Sequence, residues 1–190
     1  VKLCGLDQTQ EVNRRLWAES GISLARLAWA ALGRGLAGLE FAHGIPGSLG
    51  GGVMMNAGAY GGELSQVVTA VTYLDGEGNE YTIPAAGCEF GYRSSIFARH
   101  PDWLILKAEF SLPQGEAEEI RAKIEELARR RSEKQPLEYP SAGSMFKRPT
   151  GVVNRGGATC ADVLELVERV KARVLAETGV ALEMEVKVLR

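Results

Sequence analysis

An α+β fold is predicted by three observations. Between Val67 and Leu112 the chain carries strand-like segments joined by turn residues. Helical segments of period 3.6 stand before and after that block, and strands and helices come in runs rather than in strict alternation. In chain order, Val1-Lys-Leu-Cys-Gly5 reads as the end of a strand whose partners are absent, so the chain is expected to be a fragment. From Ser23 the apolar residues Leu24, Leu27, Ala28, Ala31 and Leu32 recur at helical spacing, with Ser23 as N-cap and Gly33 or Gly35 as the stop. Val67 to Leu74 is rich in Val and Thr, Asp75 to Asn79 is turn chemistry, and Glu80 to Ile83 returns, which makes a hairpin. Leu104, Leu106, Ala108, Phe110 and Leu112 alternate as one face of a further strand. The period then changes. Ile120, Ile124 and Leu127 mark an amphipathic helix dense in Glu and Arg that stops before Pro136. The segment 114–119 is therefore the predicted domain boundary, dividing 1–113 from 114–190. Thr159, with Asp162 three residues on, opens a last helix bearing Val163, Val167, Val170 and Val174 on one face, and Gly179 closes it. A strand should follow, with Val180, Leu182, Met184, Val186 and Val188 on one side and Glu183, Glu185 and Lys187 on the other.

Composition bounds the function. A chain of 190 residues with 45% hydrophobic content can bury a core, and a formal charge of -2 with both signs interspersed gives no field for nucleic acid or an anionic membrane. An anionic ligand must then be held by locally placed cations. Cys4, Cys88 and Cys160 are odd in number and show no Cys-x-x-Cys pattern, which points to a reducing compartment, to packing roles, and away from disulfides or zinc. No apolar run approaches the roughly 20 residues of a membrane span, and the first residues lack a signal pattern. A cytoplasmic monomer acting on small molecules is expected, with no nucleic-acid or membrane partner. His43 and His100 fit no metal-ligand spacing, so no metal is expected.

Glycine-rich stretches carry the functional signal. Gly33-Arg-Gly-Leu-Ala-Gly38 matches the dinucleotide fingerprint as a string, but it follows a helix and opens none, so its physical context is missing. The stretch Gly44 to Gly62 is different. So many glycines weaken regular structure by about 0.5–1 kcal/mol each, which is understandable if backbone approaches a partner closely. That partner is either another strand, in a tight chain reversal, or a phosphate or flat ring resting on exposed N–H groups. Pro140-Ser-Ala-Gly-Ser-Met-Phe-Lys-Arg-Pro149 sets the hydroxyl of Ser144 beside two cations in a segment too irregular for a core. Read singly, Ser144 is a turn cap, Arg93 a surface ion-pair partner and Glu185 a solvated strand residue.

Four ordered motifs change that reading. They are Gly38 to Gly62 (with Gly44-Ile-Pro-Gly-Ser-Leu-Gly-Gly-Gly52 and Asn56-Ala-Gly-Ala-Tyr-Gly-Gly62), Gly91-Tyr-Arg-Ser-Ser95, Ser141-Ala-Gly-Ser-Met-Phe-Lys-Arg-Pro149 and Leu182-Glu-Met-Glu-Val186. In this order they resemble the UDP-N-acetylenolpyruvoylglucosamine reductase (MurB) family, in the subgroup without an extra substrate-covering loop. The resemblance implies part of a flavin-binding domain over 1–113 and a smaller α+β substrate-binding C-terminal domain over 114–190. It implies FAD as cofactor, NADPH as co-substrate, and reduction of UDP-N-acetylglucosamine enolpyruvate to UDP-N-acetylmuramate for the bacterial cell wall. Two departures stand out. Nothing before Val1 supplies the family's further flavin-binding segment, and some thirty residues usual between the equivalents of Gly151 and Val152 are missing. Omission of parts of a larger protein is the favoured explanation; a true truncation at both places is expected to retain FAD weakly or not at all.

Hydride addition to the terminal enolpyruvyl carbon leaves negative charge on the neighbouring carbon and its carboxylate, so the site needs cations and a proton donor within about 3 Å. Arg93, Lys134 and Ser144 are the matching residue types. By resemblance Ser144 is the proton donor, Arg93 and Glu185 stabilise the enol intermediate, and Glu183 is a rival to Glu185. Tyr92, Lys134 and Arg148 are implied to bind substrate, though relatives carry Asn at the place of Arg148. Ile45, Pro46, Gly47, Gly51, Asn56, Ala57 and Gly58 are implied to bind the cofactor. Three readings stay open: the reductase, another flavin oxidoreductase or oxidase on the same scaffold, and a flavin-free binding domain if the absent segments are truly lost.

Overall fold

A computed structural model describes residues 3, 5–134, 141–146, 151–186 and 188. The chain divides into two compact units, Val1–Arg131 and Ser132–Arg190.

The first unit is built on a five-stranded antiparallel sheet. It opens with a hairpin that the sequence reading lacked, β1 (Thr9–Val12) and β2 (Arg15–Glu19), in the register Val12↔Arg15. Both turn residues, Asn13 and Arg14, sit at positive φ (53° and 63°), as a two-residue loop matched to strand twist requires. Next come α1 (Leu24–Leu32), the short α2 (Leu49–Met54), and a two-stranded ribbon of β3 (Gly58–Ala59) and β4 (Gly62–Glu63). The predicted hairpin follows as β5 (Val68–Leu74) and β6 (Glu80–Pro84), with Asp75 Oδ1 accepting the amides of Glu77 and Asn79. With β7 (Leu104–Phe110) the sheet order is β1-β2-β7-β5-β6. Ser23 caps α1 by accepting from the Arg26 amide at 3.2 Å, and all five predicted apolar residues of that helix are buried. Leu24, Leu27 and Ala31 join Leu16, Ala18, Val53, Val71 and Phe110 in the main core, while Ala28 and Leu32 belong to a second, smaller cluster. Gly33 to Gly38 is the turn after α1, with Gly35 and Gly38 at positive φ.

The strict alternation expected along β7 does not hold. Ile105, Ala108 and Phe110 are buried, whereas Leu104 and Leu106 are half-buried. Pairing passes from Thr72↔Lys107 to Tyr73↔Ile105, so two residues of β7 advance against one of β5. That bulge reverses which face each later side chain takes.

The third helix, α3 (Ala117–Lys134), buries Ile120 and Ile124 against Ala28 and Leu32 and places Leu127 in the main core. Its first part therefore packs with the first unit, and the compact units separate inside the helix, at 131/132. The sequence reading set its boundary before this helix, at 114.

The second unit contains a hairpin of β8 (Ser141–Ser144) and β9 (Gly151–Val153) and the helix α4 (Cys160–Thr178). Thr159 and Asp162 form the predicted reciprocal cap, and Gly179 at φ 71° ends the helix. Met145, Phe146 and Val167 are its buried core, lined by Val163, Val170, Leu182, Met184 and Val186. Among the described residues the expected final strand is represented by one bridge, Phe146↔Met184, and a bond from the Glu185 amide to the Met145 carbonyl at 2.9 Å. Leu182, Met184 and Val186 face the core as the alternation predicted, but Val180 and Val188 are exposed.

Cys88 is fully buried, and burial pushes its thiol up to about 11, which leaves it an inert packing residue. Cys160 is exposed rather than packed, and Cys4 lies outside the described residues. No described helix is long and apolar enough to cross a membrane.

Candidate active site

Two of the sequence motifs meet in the first unit. Gly91 and Ser94 exchange backbone hydrogen bonds (3.0 and 3.3 Å), which folds Gly91-Tyr-Arg-Ser94 into a tight turn with Arg93 at φ 52°. Three side chains fix this turn onto the Met54–Gly58 segment. Ser95 Oγ donates to the Met54 carbonyl at 2.8 Å, Asn56 Nδ2 to the Gly91 carbonyl at 3.1 Å, and the Arg93 guanidinium to the Gly58 carbonyl at 3.2 Å. Asn56 is buried and its Oδ1 also accepts from the Ser65 amide at 2.9 Å, so one amide side chain ties three segments together. Tyr92 is exposed, with the Arg93 guanidinium 5.7 Å from its ring centre. Arg93, Tyr92, Asn56 and Gly58 are thus gathered in one place, and Ala57 is buried beside them.

Of the two readings open for the glycine-rich segment, close packing of chain against chain describes its α2 part. Ser48 caps α2, and the amides that follow are already engaged: Leu49 with the Ile22 carbonyl, Gly50 with the Ser20 carbonyl, Gly51 with Ser48 Oγ, and Gly52 with the Ser48 carbonyl. Glycine is needed there for packing. A Cβ on Gly50 would stand 3.1 Å from the Ser20 Cβ, and one on Gly52 would stand 3.0 Å from Leu64 Cδ1. Ile45 packs against the core and Pro46 is exposed.

Beside α2 lies a cavity of about 540 Å³. Gly47 and Gly51 line it together with Ser20, Gly21, Ser23 and Ser48. Gly47, at φ 144°, presents bare backbone. The hydroxyl of Ser20 is buried without a hydrogen-bond partner among the described residues. Hydroxyls around exposed main chain suit the oxygen-rich linker of FAD, so the residues present fit that cofactor. Sequence reasoning missed the three serines; the available signal was that each stands at a strand end or helix cap flanking the glycines.

The other predicted residues lie in the second unit. Ser144 is exposed at the end of β8. The Met145–Glu185 backbone bond and the Phe146↔Met184 bridge bring the Ser144 and Glu185 segments side by side. Glu185 is half-buried and Glu183 exposed. Lys134 is the exposed last residue of α3, and Arg148 lies outside the described residues.

Comparison with known proteins identifies the family. The family model for an FAD binding domain matches residues 1–83, and that for the C-terminal domain of UDP-N-acetylenolpyruvoylglucosamine reductase matches 150–189. The UDP-N-acetylenolpyruvoylglucosamine reductase of Pediococcus pentosaceus is 41% identical over 98% of this chain and 72% of its own. That of Caldanaerobacter subterraneus is 41% identical over 100% and 72%. Its alignment runs over 218 positions against 190 residues here, so 28 positions of the relative face no residue of this chain. The crystal structure of the reductase (MurB) from Thermus caldophilus superposes with a TM-score of 0.76 at 30% identity, covering 95% of this chain and 75% of that one. With such identity across most of both partners, the chain belongs to the UDP-N-acetylenolpyruvoylglucosamine reductase family.

Proposed function

We propose that the protein reduces the enolpyruvyl ether of UDP-N-acetylglucosamine to the lactyl ether, giving UDP-N-acetylmuramate for peptidoglycan, with FAD as cofactor and NADPH as reductant. The observation that carries this reading is family membership at about 40% identity over the whole chain, in relatives that bear this activity in their names. The chemistry that bound FAD supplies is transfer of a hydride from NADPH to the terminal enolpyruvyl carbon. Ile45, Pro46, Gly47, Gly51, Asn56, Ala57 and Gly58 are the residues we assign to holding it, within an FAD-binding part at 1–113.

The substrate chemistry falls to residues of this chain. Hydride addition leaves an enolate, and we assign its stabilisation to Arg93 and Glu185. Ser144 then gives its hydroxyl proton to the enolate carbon, which completes addition of one hydride and one proton across the double bond. Serine is a weak acid, but this carbon is a far stronger base than solvent, and nearby cations ease formation of the alkoxide. Tyr92, Lys134 and Arg148 are assigned to the UDP-sugar, the last two in the substrate-binding part at 114–190. The reading includes a cytoplasmic monomer.

The deciding assay is NADPH consumption that depends on UDP-N-acetylglucosamine enolpyruvate. Ser144→Ala should still let NADPH reduce the flavin, while turnover of the enolpyruvyl substrate drops about 10²-fold or more. Losing one such electrostatic group as Arg93 should slow reduction on the order of 10²- to 10³-fold. Near-normal turnover in the serine variant would remove Ser144 from its role, and rapid oxygen reduction without need for the substrate would favour an oxidase.

A further inference from the structure

Ser20 directly follows β2 and is 2% exposed. Its backbone is locked on both sides: the amide donates to the Leu106 carbonyl and the carbonyl accepts from the Gly50 amide, each at 2.8 Å. The hydroxyl alone has no partner among the described residues, although Ser20 borders the cavity beside α2. Two further serines on that cavity are already in use as acceptors, Ser23 for the Arg26 amide and Ser48 for the Gly51 amide. Buried hydroxyls without a partner are destabilising and rare in native proteins, so one that borders a ligand cavity calls for a ligand atom. Lysine and arginine are absent from the described lining of the cavity. An anionic group bound there would depend on neutral donors, and the first amides of α2 are spent within the fold.

We propose that Ser20 is a cofactor-contacting residue whose hydroxyl donates a hydrogen bond to a phosphate oxygen of bound FAD. The assignment rests on the FAD-dependent reading above. It explains why a polar side chain occupies a site closed off by the Gly50 backbone, where an added Cβ would come within 3.1 Å of Ser20 Cβ. The donor is held in place before the ligand arrives, so little ordering accompanies binding.

The test is Ser20→Ala, with three readouts. FAD affinity, titrated into apoprotein by quenching of flavin fluorescence, should fall about tenfold. In the FAD-saturated variant one pyrophosphate ³¹P resonance should move relative to the unaltered protein. The melting temperature of the apoprotein should stay level or rise, because an unpaired buried polar group has been removed. Affinity within twofold of the unaltered protein overturns the proposal. So does weakened binding with both phosphorus resonances unmoved, or an apoprotein that melts several degrees lower, since that marks a hydroxyl already satisfied within the fold. Failure of the FAD-dependent reading is distinguishable, because the unaltered protein then binds no FAD at all.

Discussion

At the scale of single residues, Asn56 shows how the candidate site is held. It is a non-glycine residue at φ 42°, it is buried, and its side chain bridges the Gly91 carbonyl and the Ser65 amide. Alanine would lose both bonds and keep the left-handed backbone, so Asn56→Ala should lower stability by about 1–3 kcal/mol. Asn56→Gly loses the same bonds without the backbone strain and should be about 1 kcal/mol milder. Denaturant unfolding checks both, and an alanine variant as stable as the unaltered protein would show that the bridge does not hold the turn. The same residue marks a limit of sequence reading. Arg93 and Asn56 were nominated by motif, but the bonds linking the two motifs span 35 positions and depend on how the chain reverses between them. Nothing in either motif alone states that contact, and nothing local distinguishes Ser20, whose interest comes from burial beside a cavity.

At the scale of elements, legibility follows how much of an element's structure is decided locally. The helices α1 and α4 were readable because each begins with a hydroxyl cap and carries an apolar stripe of helical period. By contrast α2 contains Leu-Gly-Gly-Gly-Val-Met, a poor helix former by propensity, and exists because its glycines fit against Ser20, Leu24 and Leu64. Strand β1, Thr-Gln-Glu-Val, has no apolar alternation, so its pairing with β2 was invisible, and the β7 bulge is a property of the pair rather than of either strand. The cap of α4 gives a prediction with a pH sign. Thr159 Oγ1 accepts from the Asp162 amide, while the Asp162 carboxylate accepts from the Thr159 amide and hydroxyl. Those bonds hold the Asp162 carboxyl below its ordinary 3.8. A carboxyl lowered in the folded state stabilises it above the unfolded value, and that contribution fades as pH falls through the folded value. Asp162→Asn should therefore lower the melting temperature at pH 7 and make little difference well below 3.8, where the native carboxyl is protonated too. Thr159→Ala should remove about 1 kcal/mol at neutral pH. Thermal unfolding followed by circular dichroism at the two pH values decides it, and an aspartate effect that persists undiminished in acid would refute the cap's ionic character.

At the scale of the whole molecule, the two units differ in how much apolar surface each buries. The first has a large core cluster running from Leu16 to Leu127, with a second cluster of Ala28, Leu32, Ile120 and Ile124 beside it. The second has Met145, Phe146 and Val167 as its described buried core, with Leu166, Leu175 and Val180 exposed. Because hydrophobic stabilisation scales with buried apolar area, opening of the second unit should require less free energy than opening of the first. Amides of α4 should then exchange with deuterium at least tenfold faster than those of β5 and β7. Ligand linkage sharpens the distinction, since the serine-lined cavity lies wholly in residues of the first unit. A ligand bound to the native state stabilises it by RT ln(1 + [L]/Kd), about 2.7 kcal/mol at one hundred times Kd. FAD at that excess should slow exchange in β5 and β7 by about two orders of magnitude where exchange proceeds through unfolding of the first unit, while α4 opens by its own local route and changes far less. Equal protection of both units without FAD, rising together when it is added, would mean that they unfold as one cooperative body and that the division of cores has no energetic counterpart.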